Sequence, residues 1–75
     1  MSTAIISSPL FERIHDAMLA NPYVPGRQVH IEANEGRVVL KGNVRSFFQK
    51  QMAQEGIRRI DGVERIDNLL EVNWT

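Results

Sequence analysis

His15 and His30 are the only imidazoles in the chain, so proton transfer or metal ligation would have to begin with them. Neither stands in a spacing that does either job. No H-x-x-x-H pair and no carboxylate–histidine pair at ligand spacing accompanies them, so no set of donors converges on a metal ion. Cysteine is absent, which removes thiolate ligation, nucleophilic thiols and disulfides together. No serine sits in a nucleophile motif. G-x-G-x-x-G and G-x-x-x-x-G-K are both missing, so no loop is built to cradle phosphates, and no G-x-x-G loop is present to grip RNA. The residues therefore point away from an enzyme: no catalytic residue, metal or cofactor is expected.

What remains is surface binding, and the charges are its first guide. The formal net charge is zero, which argues against a dedicated nucleic-acid binder. The charge is laid down in blocks, however. Residues 1–35 carry a net −2, residues 36–60 a net +5 from Arg37, Lys41, Arg45, Lys50, Arg58 and Arg59 against Glu55, and residues 61–75 a net −3. Blocks of this kind either pair within a fold or present a field to a partner.

The elements that position these groups can be read from periodicity. With 75 residues the chain is one small domain, here residues 8–75 behind a lead of residues 1–7. Ser8-Pro9 reads as a helix start, and Leu10, Phe11, Ile14, Ala17 and Met18 recur at helical spacing as one core-facing stripe. Asn21-Pro22 stops that helix, and NPYVPG forms a stiff connector with Tyr23 and Val24 as an apolar tip. Val29, Ile31 and Ala33 alternate with polar neighbours as a half-buried strand. A three-residue turn, Asn34-Glu35-Gly36, is expected to reverse the chain into RVVLKGNV, with Val38 and Leu40 inward and Arg37, Val39 and Lys41 outward. Ser46 and Gln49 form a capping box for a second helix. Its expected stripe is Phe48, Met52, Ala53, Gly56, Ile57 and Ile60, its last turn Arg59-Ile60-Asp61 and its stop Gly62. A close contact is expected between Gly42 and Gly56. Ile66, Asn68, Leu70, Val72 and Trp74 then face inward on a final strand, with Arg65, Asp67, Leu69 and Glu71 facing out.

The order is α-β-β-α-β: an α+β fold with a three-stranded mixed sheet and two helices packed on one face. The crossover rule makes the third strand parallel to the second. The outer face, which carries His30, Arg37, Val39, Lys41 and Leu69, has no element left to cover it.

One run of residues is more specific than the periodicity. G-R-V-V-L-K-G-N-V, a serine-capped helix and then G-V-x-x-I-x-N-x-L-x-V resembles the BON domain, named for bacterial OsmY and nodulation proteins. Val38, Leu40, Gly42, Val44, Gly62, Val63, Ile66, Asn68, Leu70 and Val72 occupy the positions of that pattern, and the match runs from Ser8 to Val72. The resemblance implies a bacterial module associated with phospholipid membranes or the cell envelope. Such relatives often follow a signal peptide or occur as tandem copies; this chain is a single copy. Its start, MSTAIISSPLFER, shows no export signal. No stretch approaches the ~20 apolar residues of a membrane span. The expected location is the cytoplasm, at most peripheral to the membrane, or the envelope if the chain has been trimmed from a longer one.

Two candidate sites follow. Arg37, Lys41 and Arg45 form the lipid-binding set, each cation adding about 1 kcal/mol near anionic headgroups; the competing use of Arg37 and Lys41 is pairing with Glu32, Asp67 or Glu71. His30, Val39 and Leu69 form the interaction face, with Trp74 nearby in sequence. The expected function is a non-catalytic binding module on an anionic phospholipid surface. The alternative is protein–protein interaction or homodimerisation through the open sheet face.

Overall fold

The structure, a computed structural model, describes residues 9–73. The lead over residues 1–7, the cap assigned to Ser8 and the inward place given to Trp74 lie outside the described residues. Within them the chain forms α1 (Pro9–Ala20), one 3-10 turn (Gly26–Gln28), β1 (Val29–Asn34), β2 (Arg37–Val44), α2 (Phe47–Glu55), β3 (Arg65–Asn68) and β4 (Glu71–Val72). β1 pairs antiparallel with β2, and β3 and β4 both pair parallel with β2 on its other side. The α+β class, the α-β-β-α-β order and the parallel third line are as the sequence predicts.

The alternation of apolar and polar residues is realised residue by residue. Val29 and Ile31 from β1, Val38, Leu40 and Val44 from β2, and Leu70 are buried with Ile14 and Met18 of α1 and with Ala53 and Ile57. Both helices thus cover the same side of the sheet. That core is what a chain of this size can afford; domains this small bury only about 60% of their unfolded surface.

Four details differ from the sequence reading. The hairpin turn has two residues, since Asn34 pairs with Arg37. Glu35 and Gly36 both take positive φ, 51° and 86°, the backbone of a type I′ turn that matches strand twist. The third strand is interrupted between Asn68 and Glu71 without slipping: Arg37 stands opposite Arg65 and Asn43 opposite Glu71, the same offset. The break lies across from Gly42, whose φ is 127°, and a Cβ there would collide with the Gln28 carbonyl. The α-helix of α2 ends at Glu55, earlier than its stripe suggests. Beyond it the chain winds in tighter turns, with the Ile57 N–H on Gln54 and the Ile60 N–H on Ile57, to Gly62 at φ 99°. Finally, Gly56 abuts the Asn21 amide and Gly42 abuts Gln28, so neither glycine is among the other's nearest neighbours.

Asn68 explains how an amide lies on the inner face. Its Nδ2 donates to the Lys50 carbonyl at 2.9 Å and to the Gln54 side chain at 3.2 Å, while its Oδ1 accepts the Leu70 N–H at 3.3 Å. The side chain ties the sheet to α2. Buried amide groups left without such partners cost about 1–3 kcal/mol.

Candidate functional site

Two surfaces of the described residues are open, and they are built differently. The first is the outer face of the sheet. β1, β2 and the β3–β4 line set Glu32, Val39 and Asp67 side by side, and His30 beside Lys41 one row further on. Antiparallel and parallel neighbours on one face are close enough for opposite charges to meet. Lys41 donates to Glu32 at 3.2 Å, and Arg37 grips Asp67 at 2.6 Å. Arg65 reaches the other Asp67 oxygen at 3.4 Å, and His30 lies 3.8 Å from Glu32.

The hydrogen bond from Arg37 holds the Asp67 carboxyl below its ordinary pKa. Partial loss of water opposes that shift, and the charges of Arg37 and Arg65 add to it. The cations Arg37, Lys41 and Arg65 are matched by Glu32, Asp67 and Glu71, so these six groups sum to zero charge. Between the pairs lies a shallow depression with Val39 and Leu69 at its floor and edge. Leu69 is 56% exposed. The structure therefore brings together Arg37 and Lys41 of the expected lipid set, and His30, Val39 and Leu69 of the expected interaction face. It leaves Arg45 beyond the strand end, apart from that face.

The second surface is the N-terminal end of α2. Ser46 is in extended conformation and its Oγ accepts the Gln49 N–H at 3.1 Å. The Gln49 side chain accepts the Arg45 N–H at 2.7 Å, one residue earlier than a standard capping box. This cap sets Phe47 and Phe48 at the first two helical positions, where they are 71% and 53% exposed. Phe48 is outside the buried stripe predicted for it, because at the start of so short a helix it reaches past the core to the connector. There it meets Tyr23 edge to face, with ring centroids 5.4 Å apart. Tyr23 is itself 53% exposed, while Val24 turns into the core. Asn21 fixes the connector: its Oδ1 accepts the Tyr23 N–H at 2.9 Å and its Nδ2 donates to the Met52 carbonyl at 3.1 Å. Gly56 supplies the room, since a Cβ there would lie 2.8 Å from that amide nitrogen.

Lys50 lines a depression with Phe47 and Asn68. Neither Lys50 nor Arg45 has a side-chain partner among the described residues. The signal for this surface was present in the run Arg45-Ser46-Phe47-Phe48-Gln49-Lys50, where two successive aromatics at a helix start cannot both face a core one stripe wide. No group of acidic, histidine or cysteine side chains among the described residues is arranged to hold a metal ion. No helix among them is long and apolar enough to cross a membrane.

The chain was compared with known proteins. Residues 8–73 match the model of the BON domain. Among curated proteins, osmotically-inducible protein Y of Escherichia coli (strain K12) is 37% identical over 54 residues. That match covers 72% of this chain and 27% of the relative, so the chain spans about a quarter of the protein it resembles. With a family model covering nearly all of the described fold, the chain belongs to the BON domain family.

Proposed function

We propose that this domain is a non-catalytic module that docks peripherally on anionic phospholipid surfaces, using the aromatic end of α2 as its contact. The observation that carries the reading is the coincidence of Phe47, Phe48 and Tyr23, all exposed, with Arg45 and Lys50, both without ion-pair partners among the described residues. Aromatic rings favour the interface between headgroups and acyl chains, and cations beside them gain from anionic lipid. Burying a ring of this size away from water is worth about 1.5–3 kcal/mol, and each nearby cation adds about 1 kcal/mol.

Of the cations singled out in the sequence, Arg45 belongs to this contact. Arg37 and Lys41 are assigned a lesser part, because Asp67 and Glu32 already neutralise them. The relative's name speaks of osmotic induction and specifies no ligand.

Vesicle sedimentation tests the reading. The chain is expected to pellet with phosphatidylglycerol-containing vesicles and to do so less as salt rises, because exposed charges are screened over about 10 Å at 0.1 M ionic strength. Equal partition onto neutral vesicles would remove the electrostatic part, and no partition onto either would remove the proposal.

A further inference from the structure

We infer that the outer sheet face is a self-complementary contact between two copies of this chain, a role beyond the lipid reading and located on a different surface. The argument rests on the order of groups along the strands. In the row at the hairpin end, Arg37 stands beside Arg65. In the next row Val39 lies between Glu32 and Asp67. Then comes Lys41 with His30, and, because the register keeps its offset, with Leu69; last comes Asn43 with Glu71. The sign of the charge therefore alternates from row to row: positive, negative, positive, negative.

Two such faces laid together by a two-fold axis parallel to the strands would put each row on its own copy, and like charges would meet. A two-fold axis across the strands, at the level of Asn68, reverses the order of rows. Each positive row then meets a negative one. Closed dimers use isologous contacts of this kind.

Three observations favour the second arrangement. Arg65 is the surplus cation of its row, sharing Asp67 with the closer Arg37, and its side chain is 72% exposed. Glu71 has no ion-pair partner among the described residues. The transverse axis puts Arg65 of each copy over Glu71 of the other. It also interleaves Val39 and Leu69 with their symmetry mates, since these two sit diagonally, one row and one strand apart. Lys41 leans to Glu32 and Asp67 to Arg37, so both are drawn away from that apolar centre. Leu69 of the second copy then falls over Asp67, beside Val39.

A face of three short strands is smaller than the roughly 800 Å² per partner of a standard interface, so the contact belongs to the transient class. Sedimentation equilibrium of the 75-residue chain, from micromolar to millimolar concentration, tests it. The expected result is a rise from monomer toward dimer mass that weakens at high salt. Arg65→Glu alone and Glu71→Arg alone each weaken the dimer at least about tenfold, because two attractive pairs become repulsive. An equimolar mixture of the two variants recovers association, since the heterodimer restores both opposite-charge pairs. Leu69→Asp, at an exposed position, weakens association without rescue by either variant. A wild-type chain that stays monomeric at millimolar concentration overturns the inference. So do single variants that associate like wild type, or a mixture no better than its components.

Discussion

The outer sheet face and the aromatic end of α2 both meet solvent, yet they expose opposite things. On the sheet, Arg37 and Lys41 are each held by a carboxylate on the adjoining strand. At the helix end, Arg45 and Lys50 have no ion-pair partner among the described residues, and Lys50 lines a depression with Phe47, whose ring faces water. Backbone geometry accounts for the contrast. Paired strands hold side chains about 5 Å apart in rows, so opposite charges find each other. A helix turns successive side chains by about 100°, so Phe47 and Phe48 splay and cannot cover one another. The proposed contact therefore rests on which cations lack carboxylate partners, not on a count of cations.

Substitutions at the two surfaces can break that distinction. Phe47→Ser is expected to lower affinity for anionic vesicles at least about tenfold, the equivalent of about 1.4 kcal/mol, whereas Arg37→Gln leaves it within about twofold. Equal losses for the two variants would erase the distinction. Asn68 joins the surfaces by bonding α2 from the sheet. Asn68→Ala leaves the Leu70 N–H without its partner and removes both side-chain bonds to α2, and is expected to cost about 1–3 kcal/mol in urea denaturation. An unchanged midpoint would mean that water replaces the amide without loss.

The turn that aligns the sheet face offers a change in the other direction. Glu35 occupies a left-handed conformation at φ 51°, which asparagine adopts more readily. Glu35→Asn is expected to stabilise the fold by about 0.5–1 kcal/mol, read as a raised denaturation midpoint.

The smallest effect is a dependence on pH. The Asp67 carboxyl has its pKa lowered in the folded state, chiefly by the Arg37 hydrogen bond. Its pairing thus contributes in full above the ordinary carboxylate pKa of about 3.9 and is lost as pH falls through the lower, folded value. Asp67→Asn is expected to be slightly less stable than wild type at neutral pH, with the gap closing in acid. A constant gap across that range would mean that the ion pair contributes nothing.

Much of this was legible in the chain itself. Alternation in VHIEA and RVVLK placed the strands and their faces, and the glycine at 62 marked the end of the crossover. The BON-like run gave the topology its family. What periodicity could not supply was the end of α2: Ile57 and Ile60 continue a helical stripe, yet the chain behind Glu55 tightens into turns while still turning Ile57 inward. The exposure of Phe48 was hidden for a related reason. Its position fits the stripe, but only the fold shows that the connector, held by Asn21, brings Tyr23 to it. On the sheet, both uses of Arg37 and Lys41 can be written down from sequence, and the register sets each cation within reach of a carboxylate on the adjoining strand.

The most direct measurement is a titration of the chain with anionic bicelles, followed amide by amide by NMR. The account predicts that the largest shifts fall at Tyr23, Phe47, Phe48 and Lys50, with His30, Val39 and Leu69 unmoved. Shifts centred on the sheet face, with Phe47 and Phe48 unchanged, would contradict it.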